Sequence, residues 1–287
     1  MKYNSNKKVE TNQKIFFDKI YKRGETASIL NIPQDDFLYF YAVEYIINGL
    51  TYVCKQSENT KRHIILDYGC GGGTWIDVLL KREMINKETH IVGVDISESA
   101  IDLCLKKFKN ETNVQFCLIE ENKIPSIEDF SIDGIYMLGI LHHTENHKEI
   151  FTELCNKLKS GGRLYIFDLS SSNPIINFSR KLFTFMPLKI KNKFSDDLVI
   201  EGVIPEKLKV DPTETIKILK ETGFTLFTIT YHHLFVFVFI WCIQLMPWSK
   251  SLFSPIASFF YKIESLLLRF SIFQKISHVF CIKAFKK

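Results

Sequence analysis

Paired cysteines are missing from this chain. Its seven cysteines are scattered, odd in number and without a Cys-x-x-Cys spacing. That excludes a disulfide framework and a zinc ribbon, and predicts a reducing compartment. The opening stretch "MKYNSNKKVETNQK" has no apolar core, so no secretory leader is expected and the protein is placed in the cytoplasm. Bilayer-length apolar runs are missing too: residues 234–246 form an uncharged run of 13, short of the roughly 18 that a span requires. No internal repeat or low-complexity tract occurs. Glycine is scarce, with 13 among 287 residues, yet four fall within the five positions 69–73 of "LDYGCGGGTW". Glycine is the residue least willing to be ordered, so such a cluster needs a physical cause.

What is present is an ordinary globular composition, 46% apolar and 24% charged, with 25 phenylalanines and a net charge of +5. The charge is unevenly spread. Residues 180–193 hold five Lys/Arg and no acid; residues 234–287 hold seven and one acid, Glu264. The rest is acidic, with 25 basic against 31 acidic residues. An acidic body therefore carries two basic, aromatic-rich segments.

Periodicity gives the architecture. Apolar side chains at 43, 46, 47, 50, 53 and 54 predict an amphipathic helix. Apolar runs at 63–68, 90–96, 114–120, 134–141 and 161–169 predict strands, separated by helical patterns such as Ile150, Phe151, Leu154 and Leu158. After a break of about 40 residues come a helix near 212–222, a strand from 225 and a last strand at 278–286. Strands apolar nearly throughout, alternating with helices, indicate a doubly wound α/β fold around a parallel sheet.

The glycine cluster falls between the first strand and its helix, at the carboxyl edge of such a sheet, where ligands bind. Glycines there let the main chain turn sharply and approach a ligand. The dinucleotide fingerprint Gly-x-Gly-x-x-Gly is not met, because position 74 is Thr. Asp67 precedes the loop and suits an ammonium or hydroxyls better than a diphosphate. Asp95, ending the second strand, is placed to accept two ribose hydroxyls.

At these residues the chain resembles the class I S-adenosylmethionine-dependent methyltransferases, over roughly 60–170 with a looser echo at 212–235 and 278–287. "ILDYGCGGG" is similar to the first motif of that family and "VGVDIS" to its ribose-binding segment. "FCLIEENKIP" is similar to the adenine-holding stretch, "FSIDGIYMLGILHH" to the fourth strand and "LKSGGRLYIFDL" to the fifth. Glu120 stands where Asp is commoner, and Ser160 where Pro is. The resemblance implies a Rossmann-like, mostly parallel seven-stranded sheet with an antiparallel C-terminal strand. It also implies S-adenosylmethionine as cofactor, with Gly69, Cys70, Gly71 and Gly73 along its methionine and sugar. Asp67 would orient the amino group, Asp95 the ribose, Ile96 would pack on adenine, and Glu120, Glu121 and Met137 would complete the set.

"LHHTENH" (141–147) holds three of the eight histidines. Its spacing misses the His-Glu-x-x-His zinc pattern by one place, and no Pro-Cys-x-x-Cys completes a deaminase site. No metal site is expected. In the similar fold this loop borders the transferred methyl, so His142 and His143 are the catalytic candidates. Two roles stand open, fixing the loop through backbone hydrogen bonds and acting as general base for a substrate hydroxyl. Asp168, ending the fifth strand, stands where it could touch the substrate and is not counted among the catalytic candidates.

The expected organisation is a helical cap at 1–58, the cofactor-binding core at 59–170, an acceptor-site insertion at 171–211, and a C-terminal part of the core at 212–287 carrying an apolar insertion at 236–276. In that insertion Phe259, Phe260, Ile263, Leu266, Leu267 and Phe270 form a helical stripe, with Lys262 and Arg269 among its polar positions. Three readings compete for it: a long strand plus a helix packed as core, a surface resting on an anionic membrane through 234–270, or a greasy, basic mouth for an acyl, prenyl or phosphorylated acceptor. Nucleic acid is disfavoured as acceptor, because the Asn/Asp-Pro-Pro-aromatic motif of similar adenine-amino methyltransferases is absent. The expected activity is methyl transfer to a small or lipid-like acceptor at oxygen or carbon. A nicotinamide-dependent oxidoreductase and a non-catalytic cofactor-binding subunit are the alternatives.

Overall fold

The computed structural model of the chain describes residues 14–15, 17–18, 21–22, 37–55, 63–170, 210–234 and 250–287. Strands β1 (His63–Tyr68), β2 (Thr89–Asp95), β3 (Val114–Leu118), β4 (Ile132–Leu138), β5 (Leu158–Leu169), β6 (Phe224–His232) and β7 (Val279–Lys286) build one sheet. Their order is β3-β2-β1-β4-β5-β7-β6. The first five are mutually parallel; β7 runs antiparallel to both β5 and β6. This is the Rossmann-like arrangement with its antiparallel C-terminal strand that the sequence implies.

Alternation along each strand sends side chains to two cores. Ile65, Ile91, Tyr136 and Tyr165 face helices α1 (Phe37–Cys54), α2 (Thr74–Lys81) and α3 (Glu98–Lys107), meeting Leu50, Leu79 and Cys104. Leu66, Val92, Ile135 and Leu164 face α4 (His147–Lys157) and α5 (Pro212–Glu221), meeting Phe151, Leu154 and Leu219. Helix α1 lies in the layer over β4 and β5, where the Tyr165 hydroxyl donates to the Tyr45 carbonyl at 2.8 Å. Helix α5 starts cleanly because Asp211 accepts from the N–H groups of Thr213 and Glu214, with Pro212 in the first turn.

Two more helices, α6 (Lys250–Leu267) and the single turn α7 (Ser271–Gln274), join β6 to β7. The sequence reading lets the strand from 225 run on; instead β6 stops at His232 and His233 turns away in the left-handed region, φ 61°. Most of 171–211, and residues 236–249 of the apolar insertion, lie outside the described residues.

All of this aims one edge. The carboxyl ends of β1, β2, β4 and β5 lie together, and the register Leu169↔Val279↔His232 brings the end of β6 to the same level. The strand order reverses between β1 and β4, leaving the crevice where open α/β sheets take ligands.

Candidate functional site

The turn after β1 is held by its neighbour strand. Gly69 and Cys70 both donate their N–H to the Val94 carbonyl, at 2.8 and 2.9 Å, and Gly73 N–H returns to the Cys70 carbonyl at 2.9 Å. Gly69, Gly71 and Gly73 have φ of 81°, 50° and 71°, left-handed values that side chains with a Cβ resist. Space is the second constraint. A Cβ on Gly69 would overlap Ile140, and one on Gly71 would overlap the Tyr21 hydroxyl. A Cβ on Gly73 would overlap Phe108, so the glycines admit protein side chains as well as a ligand.

Asp95 faces this bend. Its Oδ2 accepts from Gly71 N–H at 2.8 Å and its Oδ1 from Ser97 N–H at 2.9 Å. Burial raises its pKa, opposed by those N–H groups. Asp67 is enclosed more completely. The Tyr136 hydroxyl approaches its carboxyl, yet neither Asp67 Oδ2 nor that hydroxyl completes a hydrogen bond of normal geometry. Burial, with Asp95 adding repulsion, pushes Asp67 up to about 8. A buried carboxyl oxygen without a partner is costly, and a ligand ammonium would relieve it.

The carboxyl end of β4 supplies the other half. Leu141–His143 form one 3-10 turn. The His142 Nδ1 lies 2.6 Å from Asp168 Oδ1, while Asp168 Oδ2 accepts from Leu141 N–H at 2.7 Å. Asp168 is fully buried and His142 nearly so. A carboxylate can only accept, so His142 Nδ1–H donates to Asp168, the tautomer that leaves Nε2 with its lone pair. His143 is different: its pKa is pushed well below the ordinary histidine value by burial, then by His142, 3.9 Å away between ring centres. It stays a neutral ring set edge-on to Phe17 at 5.2 Å.

Phe17 belongs to a segment whose place the sequence did not reveal. Helical residues near the N-terminus lie across both halves of the site. The Ser97 hydroxyl donates to Asp18 at 2.5 Å, and Ser99 N–H reaches the same oxygen at 3.3 Å. Lys14 pairs with Glu98 at 3.0 Å. Tyr21 sits buried over Gly71 and Gly72, its phenol pushed up by burial and by Asp95. The only sequence signal was an aromatic cluster, "FFDKIY", with no periodicity to place it.

The structure thus gathers Asp67, Gly69, Cys70, Gly71, Gly73 and Asp95 at one bend, with Ile96 beside them and His142 and His143 across the crevice. Met137 is sealed in the core facing α4 and α5. Glu120 is exposed just past β3, where Ile119 N–H donates to the Asp95 carbonyl at 2.9 Å; its backbone bridges to Lys123, and Glu121 follows at φ 47°. Among the described residues no cluster of His, Cys, Asp or Glu is arranged to hold a metal.

Comparison with known proteins agrees with this geometry. The chain is 26% identical over 193 residues to the ubiquinone/menaquinone biosynthesis C-methyltransferase of Wigglesworthia glossinidia brevipalpis, covering 64% of this chain and 74% of that one. It is 25% identical over 185 residues to a ubiquinone biosynthesis O-methyltransferase of Coxiella burnetii, covering 64% and 72%. Geranyl diphosphate C-methyltransferase from Streptomyces coelicolor shares the fold at TM-score 0.54 and 14% identity, over 90% of this chain and 87% of that one. The profile of the methyltransferase domain matches residues 59–221, more than half the chain. That match, on top of a glycine bend answered by a strand-end carboxylate, places the chain in the methyltransferase-domain family, as a class I S-adenosylmethionine-dependent methyltransferase.

Proposed function

We propose that the protein transfers a methyl group to oxygen or carbon of a small, apolar or lipid-like acceptor bearing an acidic proton. The observation that carries this reading is the buried His142–Asp168 pair across the crevice from the glycine bend. The bound cofactor supplies a methyl group already activated on a sulfonium, so the protein contributes alignment and proton removal. Asp95 and Gly71 would hold the ribose, and Asp67, short of one hydrogen bond, would hold the ammonium. Asp168 keeps the imidazole in one tautomer and orientation, and Nε2 of His142 accepts the proton of a hydroxyl or an acidic carbon. Base catalysis thus belongs to the first histidine of the pair, while His143 packs the loop against Phe17.

Two of the relatives above are named for C- and O-methylation in ubiquinone biosynthesis, and one structural neighbour for geranyl diphosphate. These names support an apolar acceptor over a nucleic acid. Family membership also favours methyl transfer over the nicotinamide alternative. The test is incubation with methyl-labelled S-adenosylmethionine and a cell extract, followed by separation of lipid, small-molecule, protein and RNA fractions. Label is expected in the lipid-soluble fraction and lost with His142→Ala. Label in RNA or protein, or none in any fraction, would overturn the reading.

A further inference from the structure

Helix α6 splits the stripe seen in the sequence. Phe260, Ile263 and Leu267 turn toward the body, and the Tyr261 hydroxyl fastens the helix to α1 by donating to Glu44 at 2.7 Å. Phe259, Leu266 and Phe270 turn the other way and stay 61%, 55% and 62% exposed; Ile272, one residue into α7, is 68% exposed. Phe259 and Leu266, seven residues apart, share one face of α6, and Phe270 follows just past its end, in extended backbone at the start of α7. Lys262, Arg269 and Lys275, from the same two-helix segment, are exposed as well. Such a row exceeds the singly scattered apolar residues of an ordinary surface.

Charge says what fits it. Residues 234–287 contain seven Lys/Arg and one acid, Glu264. That acid is 2% exposed and turned inward, 4.0 Å from the His233 ring. This region of the sequence therefore shows no carboxylate side chain at the surface beside its exposed apolar row. No helix among the described residues is long and apolar enough to cross a membrane. Position adds a direction: α6 and α7 link the end of β6 to the start of β7, level with Leu169 and one residue beyond Asp168.

We propose that this face of α6 and α7 is an interfacial anchor for an anionic lipid surface. Phe259, Leu266, Phe270 and Ile272 enter the headgroup boundary while Lys262, Arg269 and Lys275 meet lipid phosphates. The strand edge carrying His142 and Asp168 then faces the bilayer. The surface deepens the apolar-acceptor reading and rests on it for its purpose, although the binding itself needs no acceptor.

The test is vesicle flotation of the full chain with phosphatidylcholine alone and with added phosphatidylglycerol, at low and high salt. Recruitment is expected only with the anionic vesicles and is weakened by salt. The variant Phe259→Ser/Leu266→Ser/Phe270→Ser should lower partitioning about a hundredfold. Lys262→Gln/Arg269→Gln should lower it roughly 25-fold. All these side chains are exposed, so melting temperature and S-adenosylmethionine calorimetry should match the parent protein. Failure of the parent to float with anionic vesicles overturns the proposal, as does equal flotation of the variants. If sedimentation shows the parent as a dimer and the triple serine variant as a monomer, with neither recruited to vesicles, the face binds a second copy and the proposal also falls. Flotation without cofactor binding in calorimetry would instead remove the methyl-transfer reading and leave the anchor standing.

Discussion

Asp67 should make cofactor binding strongly dependent on pH. Its carboxyl is 2% exposed, has an oxygen without a partner and titrates at about 8 against an ordinary 3.8. A ligand carrying an ammonium favours the ionised form, so binding must expel the proton that the free protein holds below that value. If the complex returns Asp67 to its ordinary range, affinity rises with pH by nearly tenfold per unit, levelling near the free value. Between roughly pH 5.5 and 7.5, where an α-amino group stays mostly protonated, S-adenosylmethionine should bind about 75-fold tighter at the upper end. That equals about 2.6 kcal/mol. Calorimetry in two buffers of different ionisation heat counts the released proton directly, and close to one is expected at the acid end. Asp67→Asn keeps the shape but cannot ionise, so its affinity should be flat across the range. The linkage also has a sign in the free protein: the folded state holds this proton where the unfolded chain has lost it, so stability falls as pH rises from about 4 to 8. Asp67→Asn should remove that fall. A parent protein whose affinity is level across the range, or an Asn variant with the parent's slope, would refute the reasoning.

Asp168→Asn should leave S-adenosylmethionine affinity within about twofold while turnover falls roughly a hundred- to ten-thousandfold, because the amide no longer selects the productive tautomer of His142. Equal loss of binding and turnover would mark Asp168 as structural only. Gly71→Ala forces a Cβ into a left-handed position and against the Tyr21 hydroxyl. It should lower stability by about 1–2 kcal/mol or more in urea, and an unchanged midpoint would contradict the packing described. His233 is buried between Glu264, Tyr45 and the end of β6, and desolvation lowers its pKa to about 4. Since the unfolded chain takes up this proton first, stability should drop by about 3 kcal/mol as pH falls from about 6.5 to 4. Asn also tolerates left-handed backbone, so in His233→Asn the acid limb should lose close to one proton in slope; an identical limb would place the acid sensitivity elsewhere.

The sheet was legible because its signals are local. Apolar runs such as "HIILDY" and "HIVGVD" have no reason to exist outside a sheet covered on both faces, and their spacing with Ile150, Phe151 and Leu154 fixes the alternation. The loop at 69–73 was legible for a related reason, since a left-handed bend leaves its mark as glycine. Met137 shows the limit. Its position in the chain matches a motif, but the pleat of β4 puts it in the core.

Sequence alone determined the doubly wound sheet, the glycine bend with Asp95 beside it, and the basic, aromatic character of the C-terminal insertion, because backbone preference and side-chain period are written residue by residue. Only the folded chain decided that His142 and not His143 meets a carboxylate, that Asp18 and Tyr21 lie across the bend, and that Phe259, Leu266 and Phe270 face outward while Glu264 faces in. Each of those outcomes joins residues from 26 to 79 or more positions apart. Which partner a side chain meets across such a distance is fixed by the packing of whole elements, and no local pattern records it.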